Sequence, residues 1–99
     1  MDLANLAHEH FTGLLHERFR VQNGGAVVEL ELVEVTKLGN GSKGRRDPFS
    51  LIFRGPGDVT FPQGIHSLQG SAPDALEIFL VPIGRGEDGT GMLYQAVFT

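Results

Sequence analysis

The chain has 99 residues, of which 40% are hydrophobic and 20% are charged, with a net charge of −4 and no cysteine. This length is typical of one domain, so we expect residues 1–99 to form a single β-rich unit. Without cysteine the chain has no disulfides, thiolate metal sites or cysteine nucleophiles, and the negative charge argues against a nucleic-acid partner. Glycine accounts for 14 residues, about double the usual share of roughly 7%, which predicts many tight turns between short strands.

The first residues lack the features of a targeting sequence. Acidic and histidine side chains are scattered through residues 1–19, without a basic start followed by a long apolar run. No window of the sequence approaches the ~18 apolar residues that a membrane span needs. We therefore expect a cytoplasmic protein with no membrane partner.

One helical pattern occurs, near the start of the chain. Leu6, Phe11, Leu14 and Leu15 recur at spacings that mark one apolar face, and Asn5 suits the N-cap position. The pattern predicts a short helix over residues 7–15 that lies across one end or face of a sheet.

From residue 18 onward the apolar period is two, which is typical of strands. The Asn-Gly pair within residues 22–25 predicts a hairpin turn, because both residues tolerate positive φ. The predicted strands cover residues 18–21, 26–38, 49–54, 65–69, 75–83 and 93–98. Since the short connections leave no room for parallel crossovers, we expect a mainly β fold, an antiparallel six-stranded barrel or roll with one short N-terminal helix.

Two of these strands depart from simple alternation. Leu32 and Val33 are adjacent apolar residues in an alternating run, which indicates a β-bulge. The strand at 75–83 is apolar on both faces, so we expect it to be central or covered on both sides. The inward positions of all strands predict a core of Leu30, Leu32, Leu51, Phe53, Leu68, Ile78, Leu80, Ala96 and Phe98.

The loop after the second strand combines a glycine motif with a basic cluster. Residues 39–44 match G-x-G-x-x-G, but Pro48 opens a strand where a dinucleotide-binding fold needs a helix, so we interpret the segment as a hairpin loop. Lys43, Arg45 and Arg46 lie in or beside this motif. We expect them to be exposed and to dock an acidic surface of a protein partner, and the alternative is a solvated loop.

The four histidines allow a metal or small-ligand site as an alternative. On a helix, the rings of His8 and His10 diverge by ~200°, and His16 and His66 complete the set. No glutamate follows at the spacing that metal-binding barrels with an H-x-H motif use. Serine elbows and EF-hand spacings are also missing, so the sequence predicts no catalytic residues, no bound cofactor or metal, and no enzyme.

Several strings of this sequence resemble a small bacterial family labelled as a domain of unknown function. The run F-S-L-x-F-R-G-P is specific, and the resemblance covers nearly the whole chain. It implies an association with genes for phage-tail-collar-like fibre proteins and supplies no catalytic residues. The matching strings are LELVEV at 30–35, FSLIFRGP at 49–56, PQG at 62–64 and LEIFLVP at 76–82, together with His8, Phe11 and Leu14.

Two functions are therefore open. The first is a non-enzymatic structural or accessory interaction domain, a component or partner of a phage-tail-like or fibre assembly, with homo-oligomerisation also open. The second is a small-ligand or metal-binding β-barrel that uses His8, His10 and His66. A ligand barrel requires an interior pocket with converging polar groups, whereas an interaction domain requires a filled interior and an exposed apolar patch or open strand edge.

Overall fold

We describe residues 11–23, 26–38, 48–57, 61–70, 75–86 and 91–98 of a computed structural model of the chain. These residues form six strands, and every predicted strand is present, with ends that differ by a few residues. The mainly β, six-stranded antiparallel prediction is confirmed. The strands are β1 Arg18–Asn23, β2 Ala26–Lys37, β3 Phe49–Pro56, β4 Gly64–Leu68, β5 Leu76–Arg85 and β6 Gly91–Phe98.

The strands follow the order β1-β2-β3-β6-β5-β4 around the sheet. Four of the five pairs of successive strands are neighbours, whereas β3 pairs with β6 along its whole length. The two outer strands of this order, β1 and β4, meet at one bridge. There, Arg20 N donates to Gln69 O at 2.8 Å, and Gln69 N donates to Arg20 O at 2.9 Å. The sheet therefore curls into a nearly closed barrel.

Inward-facing side chains form a single core inside this barrel. All nine residues that the sequence predicted for the core are at most 7% exposed, so that prediction is confirmed. Alternation along the strands explains this result, because every second side chain of a strand points to the same side. The described core also contains Phe11, Phe19, Val21, Val28, Phe49, Phe61, Leu76 and Tyr94.

Aromatic rings close the barrel where β3 begins and β6 ends. The rings of Phe49 and Phe98 stack with centroids 4.7 Å apart. The ring of Phe11 lies 5.7 Å from Phe49 and 5.6 Å from Phe98. Phe11 thus anchors the segment before β1 against the far end of the chain.

A second aromatic contact fixes the connection between β3 and β4. Phe61 is buried, and its ring centroid lies 5.5 Å from that of Tyr94 on β6. The backbone N of Phe61 donates a hydrogen bond of 3.1 Å to the Tyr94 hydroxyl. This bond satisfies a buried backbone donor that no strand pairs with, which holds a segment without regular structure in the core.

The predicted helix over residues 7–15 is not supported by the described residues. Residues 7–10 lie outside them, and only residues 11 and 12 have α-helical backbone. Leu14 N donates to Phe11 O at 2.9 Å, the spacing of a tight turn rather than of an α-helix. His16, with φ at 70°, then turns the chain so that its N donates to Leu32 O on β2. Pairing with β2 therefore replaces continuation of a helix.

Two β-bulges interrupt the sheet. The register between β2 and β3 shifts between Leu32 and Glu34, which confirms the predicted bulge and leaves Val33 as the extra residue. A second shift, between Pro82 and Gly84 in β5, leaves Ile83 without a cross-strand partner on β6. Bulges re-aim side chains locally, and both of these lie on strands that border the β3–β6 pair.

Among the described residues, no helix has the length and apolar character needed to cross a membrane.

Candidate interaction surface

The described interior of the barrel is apolar. Among the described residues, Ser50 is the only buried one classed as polar or charged, and its neighbours Phe49 and Leu51 face inward, so Ser50 lies on the outer side of β3. The buried Tyr94 hydroxyl is occupied by the Phe61 backbone. A ligand pocket needs several polar groups that converge on one space. The described interior has the character of a packed core instead.

The structure places one of the three histidines of the metal alternative. His66 lies on β4, where its Nε2 donates to Pro62 O at 2.8 Å and its ring centroid is 5.4 Å from that of Phe61. His8 and His10 lie outside the described residues. Within the described part of the chain, no three His, Cys, Asp or Glu side chains are grouped so that they could hold a metal ion. His66 therefore has a local structural role in the part that we describe.

The basic residues of the loop, Lys43, Arg45 and Arg46, lie outside the described residues, as does the glycine motif at 39–44. Its two ends are described. Leu38 N donates to Pro48 O at 2.9 Å, and the antiparallel pairing of β2 with β3 begins at once beside this bond. The segment after the motif is thus a strand, which agrees with a hairpin loop and not with a phosphate-binding turn before a helix.

The outer side of β1 and β2 is charged. Arg18 and Arg20 of β1 lie opposite Glu31 and Glu29 of β2 in the sheet register. A guanidinium nitrogen of Arg18 lies 3.8 Å from a carboxylate oxygen of Glu29, and His16 Nδ1 lies 3.2 Å from Glu31 Oε2. Exposed pairs of this kind contribute about 0–1 kcal/mol each. This side of the barrel is therefore well suited to contact with water.

The outer side of β5 and β6 is apolar. Phe79 and Ile83 of β5 are 50% and 47% exposed, Val97 of β6 is 55% exposed, and Ile65 of β4, directly opposite Phe79, is 69% exposed. Phe79, Ile83 and Val97 are exposed on strands that are paired on both sides, and Ile65 is exposed beside them on the outer strand β4. We name this surface the β5–β6 face, and it consists of Ile65, Phe79, Val81, Ile83, Leu93 and Val97 around Gln95.

This finding decides between the two positions that the sequence allowed for β5. The strand is central, between β4 and β6, which agrees with the prediction of a central or doubly covered strand. It is not covered on both sides, because Phe79 and Ile83 on its outer side are about half exposed. The apolar character of both faces of this strand was the sequence signal for the surface. Alternation alone could not tell a face covered by the same chain from a face left for a partner.

The β5–β6 face has a polar centre and oppositely charged ends. Gln95 is half-buried and lies opposite Val81 on one side and Ile52 of β3 on the other. The exposed Glu77 lies at the end near Phe79. At the other end Arg54 of β3 lies opposite Leu93. Its side chain crosses Gly91, where an added Cβ would lie 2.5 Å from Arg54 Nε.

The two bulges extend this face toward β2. Val33 and Ile83, the extra residues of the bulges, line the same open groove of about 600 Å³. Ile52 and Leu93 also line it, so the groove continues the apolar surface over the β3–β6 pair. The bulges therefore add apolar side chains at the rim of the face.

A different groove lies at the seam between β1 and β4. It has a volume of about 360 Å³ and is lined by Arg20, Gln22, Val27, Ser67 and Gln69. Four of these five side chains are polar, and the bridge between Arg20 and Gln69 spans it. The seam offers little apolar area to a partner, so the β5–β6 face is the stronger candidate.

Fold and surface together define a class, a small antiparallel β-barrel with a packed interior and an apolar outer face. A sequence profile described as a domain of unknown function, DUF6916, matches residues 6–98. The chain belongs to this family, in agreement with the resemblance to a family of unknown function. No curated protein matches the chain, and no solved structure does.

Proposed function

We propose that this chain is a non-enzymatic interaction domain that binds a protein partner through the β5–β6 face. The observation that carries the proposal is the exposure of Phe79 and Val97 on β5 and β6, which are paired on both sides, together with Ile65 beside them on the outer strand β4. Monomeric soluble proteins rarely leave a contiguous apolar surface in water, and larger patches mark docking sites. Covering one large apolar side chain contributes up to about 1.5–3 kcal/mol.

The contrast between the two sides of the barrel supports the same proposal. Acidic and basic side chains are paired on β1 and β2, whereas the outer side of β5 and β6 carries the aliphatic and aromatic residues. Four of the six large apolar side chains that are exposed among the described residues lie on the β5–β6 face, and the other two are Val27 and Leu38 of the segment that contains β2. Such segregation is what a surface reserved for a partner requires.

An enzymatic role has less support. Hydrolytic and metal-dependent reactions need a nucleophile, acid–base pair or metal ligands that converge on one pocket. The sequence offers no such constellation, and the described interior is lined by apolar side chains. A small-ligand or metal-binding barrel remains the alternative, with His8, His10 and His66 as its residues.

We infer further that the partner belongs to a phage-tail-like or fibre assembly in a bacterium, built in the cytoplasm. The support for this step is the family resemblance and its association with fibre and tail-collar genes. In this role the chain is a structural or accessory component and does not require nucleic acid or a membrane. Lys43, Arg45 and Arg46 supply a second contact, to an acidic region of the same partner.

Binding of purified proteins tests the proposal. The chain is titrated calorimetrically with each fibre or collar protein encoded beside its gene, as wild type, as Phe79→Glu and as Val27→Glu. Val27 is the matched control, because it is 59% exposed on β2 and lies outside the β5–β6 face.

We expect Phe79→Glu to weaken binding at least about thirty-fold, the effect of losing a contact of about 2 kcal/mol, and Val27→Glu to leave it nearly unchanged. Circular dichroism verifies that both variants are folded. Equal affinity of wild type and Phe79→Glu for a bound partner would contradict the proposal, as would the failure of every neighbouring protein to bind.

A further inference from the structure

We propose that a second copy of this chain covers the β5–β6 face, so that the protein is a two-fold symmetric dimer. This inference rests on the proposed function, because it takes the same face as a docking surface. The second copy occupies the face until a fibre or collar protein displaces it. Its basis is the arrangement of apolar, polar and charged residues on the face, which is complementary to the same arrangement on a second copy rotated by 180°.

The apolar residues of β5 and β6 are placed symmetrically about the middle of the face, and Ile65 of β4 lies beside Phe79 at one end. Phe79 and Val97 lie toward one end, and Ile83 and Leu93 lie toward the other, with the Val81–Gln95 pair between them. A two-fold axis that lies between the two sheets, parallel to them and perpendicular to the strands at the level of this pair, lays each apolar end on the opposite end of the second copy. Sheets packed face to face in this way lie about 10 Å apart with strands nearly aligned, and their side chains interdigitate.

Gln95 is the feature that favours a second copy over an unrelated partner. Covering an amide with apolar side chains costs about 1–3 kcal/mol if its hydrogen bonds are lost. A glutamine amide contains both a donor and an acceptor. Two copies of Gln95 that meet at a two-fold axis can therefore exchange two hydrogen bonds, each Nε2–H donating to the Oε1 of the other copy. An unrelated partner would need a separate polar residue at this point.

The charged ends of the face are complementary under the same rotation. Glu77 lies beyond Phe79 at one end, and Arg54 lies beside Leu93 at the other. The rotation brings Glu77 of one copy to the end of the dimer where Arg54 of the second copy lies, two strands across the sheet, and it does so twice in each dimer. Such rim charges fix orientation more than they add affinity.

Sedimentation equilibrium of the full chain tests the dimer directly. We expect a species of twice the 10.7 kDa chain mass at concentrations between about 10 and 500 μM, a range that detects Kd values in the micromolar region. Gln95→Glu, which is nearly isosteric, places two carboxylates at the axis and should weaken association at least tenfold. Val27→Glu adds the same charge outside the face and should remain dimeric.

Mixing two charge variants shows whether the two Gln95 positions contact each other in the dimer or whether any added charge weakens association. Gln95→Glu and Gln95→Lys should each be monomeric alone, and an equimolar mixture should recover a dimer because opposite charges then meet at the axis. A monomeric wild type would overturn the inference. So would a wild-type dimer that Gln95→Glu does not weaken, or a mixture that stays monomeric.

The outcome is independent of the calorimetric test of the proposed function. A monomeric wild type whose binding to a fibre protein is weakened by Phe79→Glu would overturn the dimer and leave the docking face intact. A monomeric wild type with no effect of Phe79→Glu on any binding would overturn both.

Discussion

Replacing Phe53 with alanine tests whether the barrel interior is one packed core. Phe53 is 0% exposed and lies between Leu32 of β2 and Tyr94 of β6 in the sheet register. Its ring meets the ring of Phe19 edge-on, at 5.7 Å and 86°. The change removes the buried ring and leaves a cavity, which costs about 3–5 kcal/mol of unfolding free energy. Since small domains have about 5–15 kcal/mol in total, this is a large share.

Urea unfolding followed by circular dichroism measures this loss. With a slope of roughly 1–3 kcal/mol per molar urea, the midpoint should fall by at least about 1 M. Phe79→Ala is the control, because it removes the same side chain from a position that is 50% exposed and should cost about 1 kcal/mol. Both are measured at concentrations too low for association. Equal shifts for the two variants, or no shift for Phe53→Ala, would show that Phe53 is not part of a packed core.

Three further variants and one assay probe other parts of the account. Tyr94→Phe leaves the buried Phe61 N–H without its acceptor and should lower the unfolding free energy by about 1–3 kcal/mol in urea, whereas no change would mean that the hydrogen bond is unimportant. Gly70→Ala would place a Cβ 2.9 Å from the buried ring of Phe19, so we expect about 1–3 kcal/mol of destabilisation and a lower Tm, and an unchanged Tm would contradict this packing. Elemental analysis of dialysed, tag-free protein should find much less than one zinc, nickel or iron per chain, and a full equivalent would favour the metal-binding alternative. Charges of an exposed loop contribute little to folding, so the triple serine variant of the basic loop should keep the wild-type Tm. The same variant should reduce the salt dependence of partner association. A large drop in Tm would show that these charges are paired inside the fold. The residues changed in this variant are Lys43, Arg45 and Arg46.

Strand positions and core residues could be predicted because they are local properties of the sequence. One face of a strand contacts the core and the other contacts solvent, so apolar and polar residues alternate along a strand that is buried on one side. The bulge at Leu32–Val33 was visible for the same reason, since two adjacent apolar residues interrupt that alternation. The second bulge gave no such signal, because Val81, Pro82 and Ile83 are all apolar and no slip can be detected among them.

Residues whose burial depends on distant parts of the chain could not be predicted. Phe61 lies in a glycine- and proline-rich stretch with no period, and its acceptor on Tyr94 is 33 residues away. Phe11 was assigned to a helix, whereas its ring contacts Phe49 at the start of β3 and Phe98 at the end of β6. Such contacts are set by the closure of the barrel, which local periodicity does not encode.

The β5–β6 face shows the same limit for the candidate site. The sequence showed that β5 is apolar on both sides and predicted a central or doubly covered strand, and the fold makes it central without covering its outer side. The residue types at every second position of a strand show that one of its faces is apolar. Only the arrangement of the six strands shows that Phe79 and Val97 remain at the surface. The basic loop, by contrast, was conspicuous in sequence because its charges are consecutive.

Methyl NMR with a soluble paramagnetic probe shows whether a partner covers the β5–β6 face. The probe broadens exposed methyl signals, so spectra are compared for the dilute chain and for the associated state. We predict that the methyl groups of Ile65, Ile83 and Val97 become protected on association while those of Val27 stay accessible. Protection of Val27 with continued exposure of Val97 would contradict the claim.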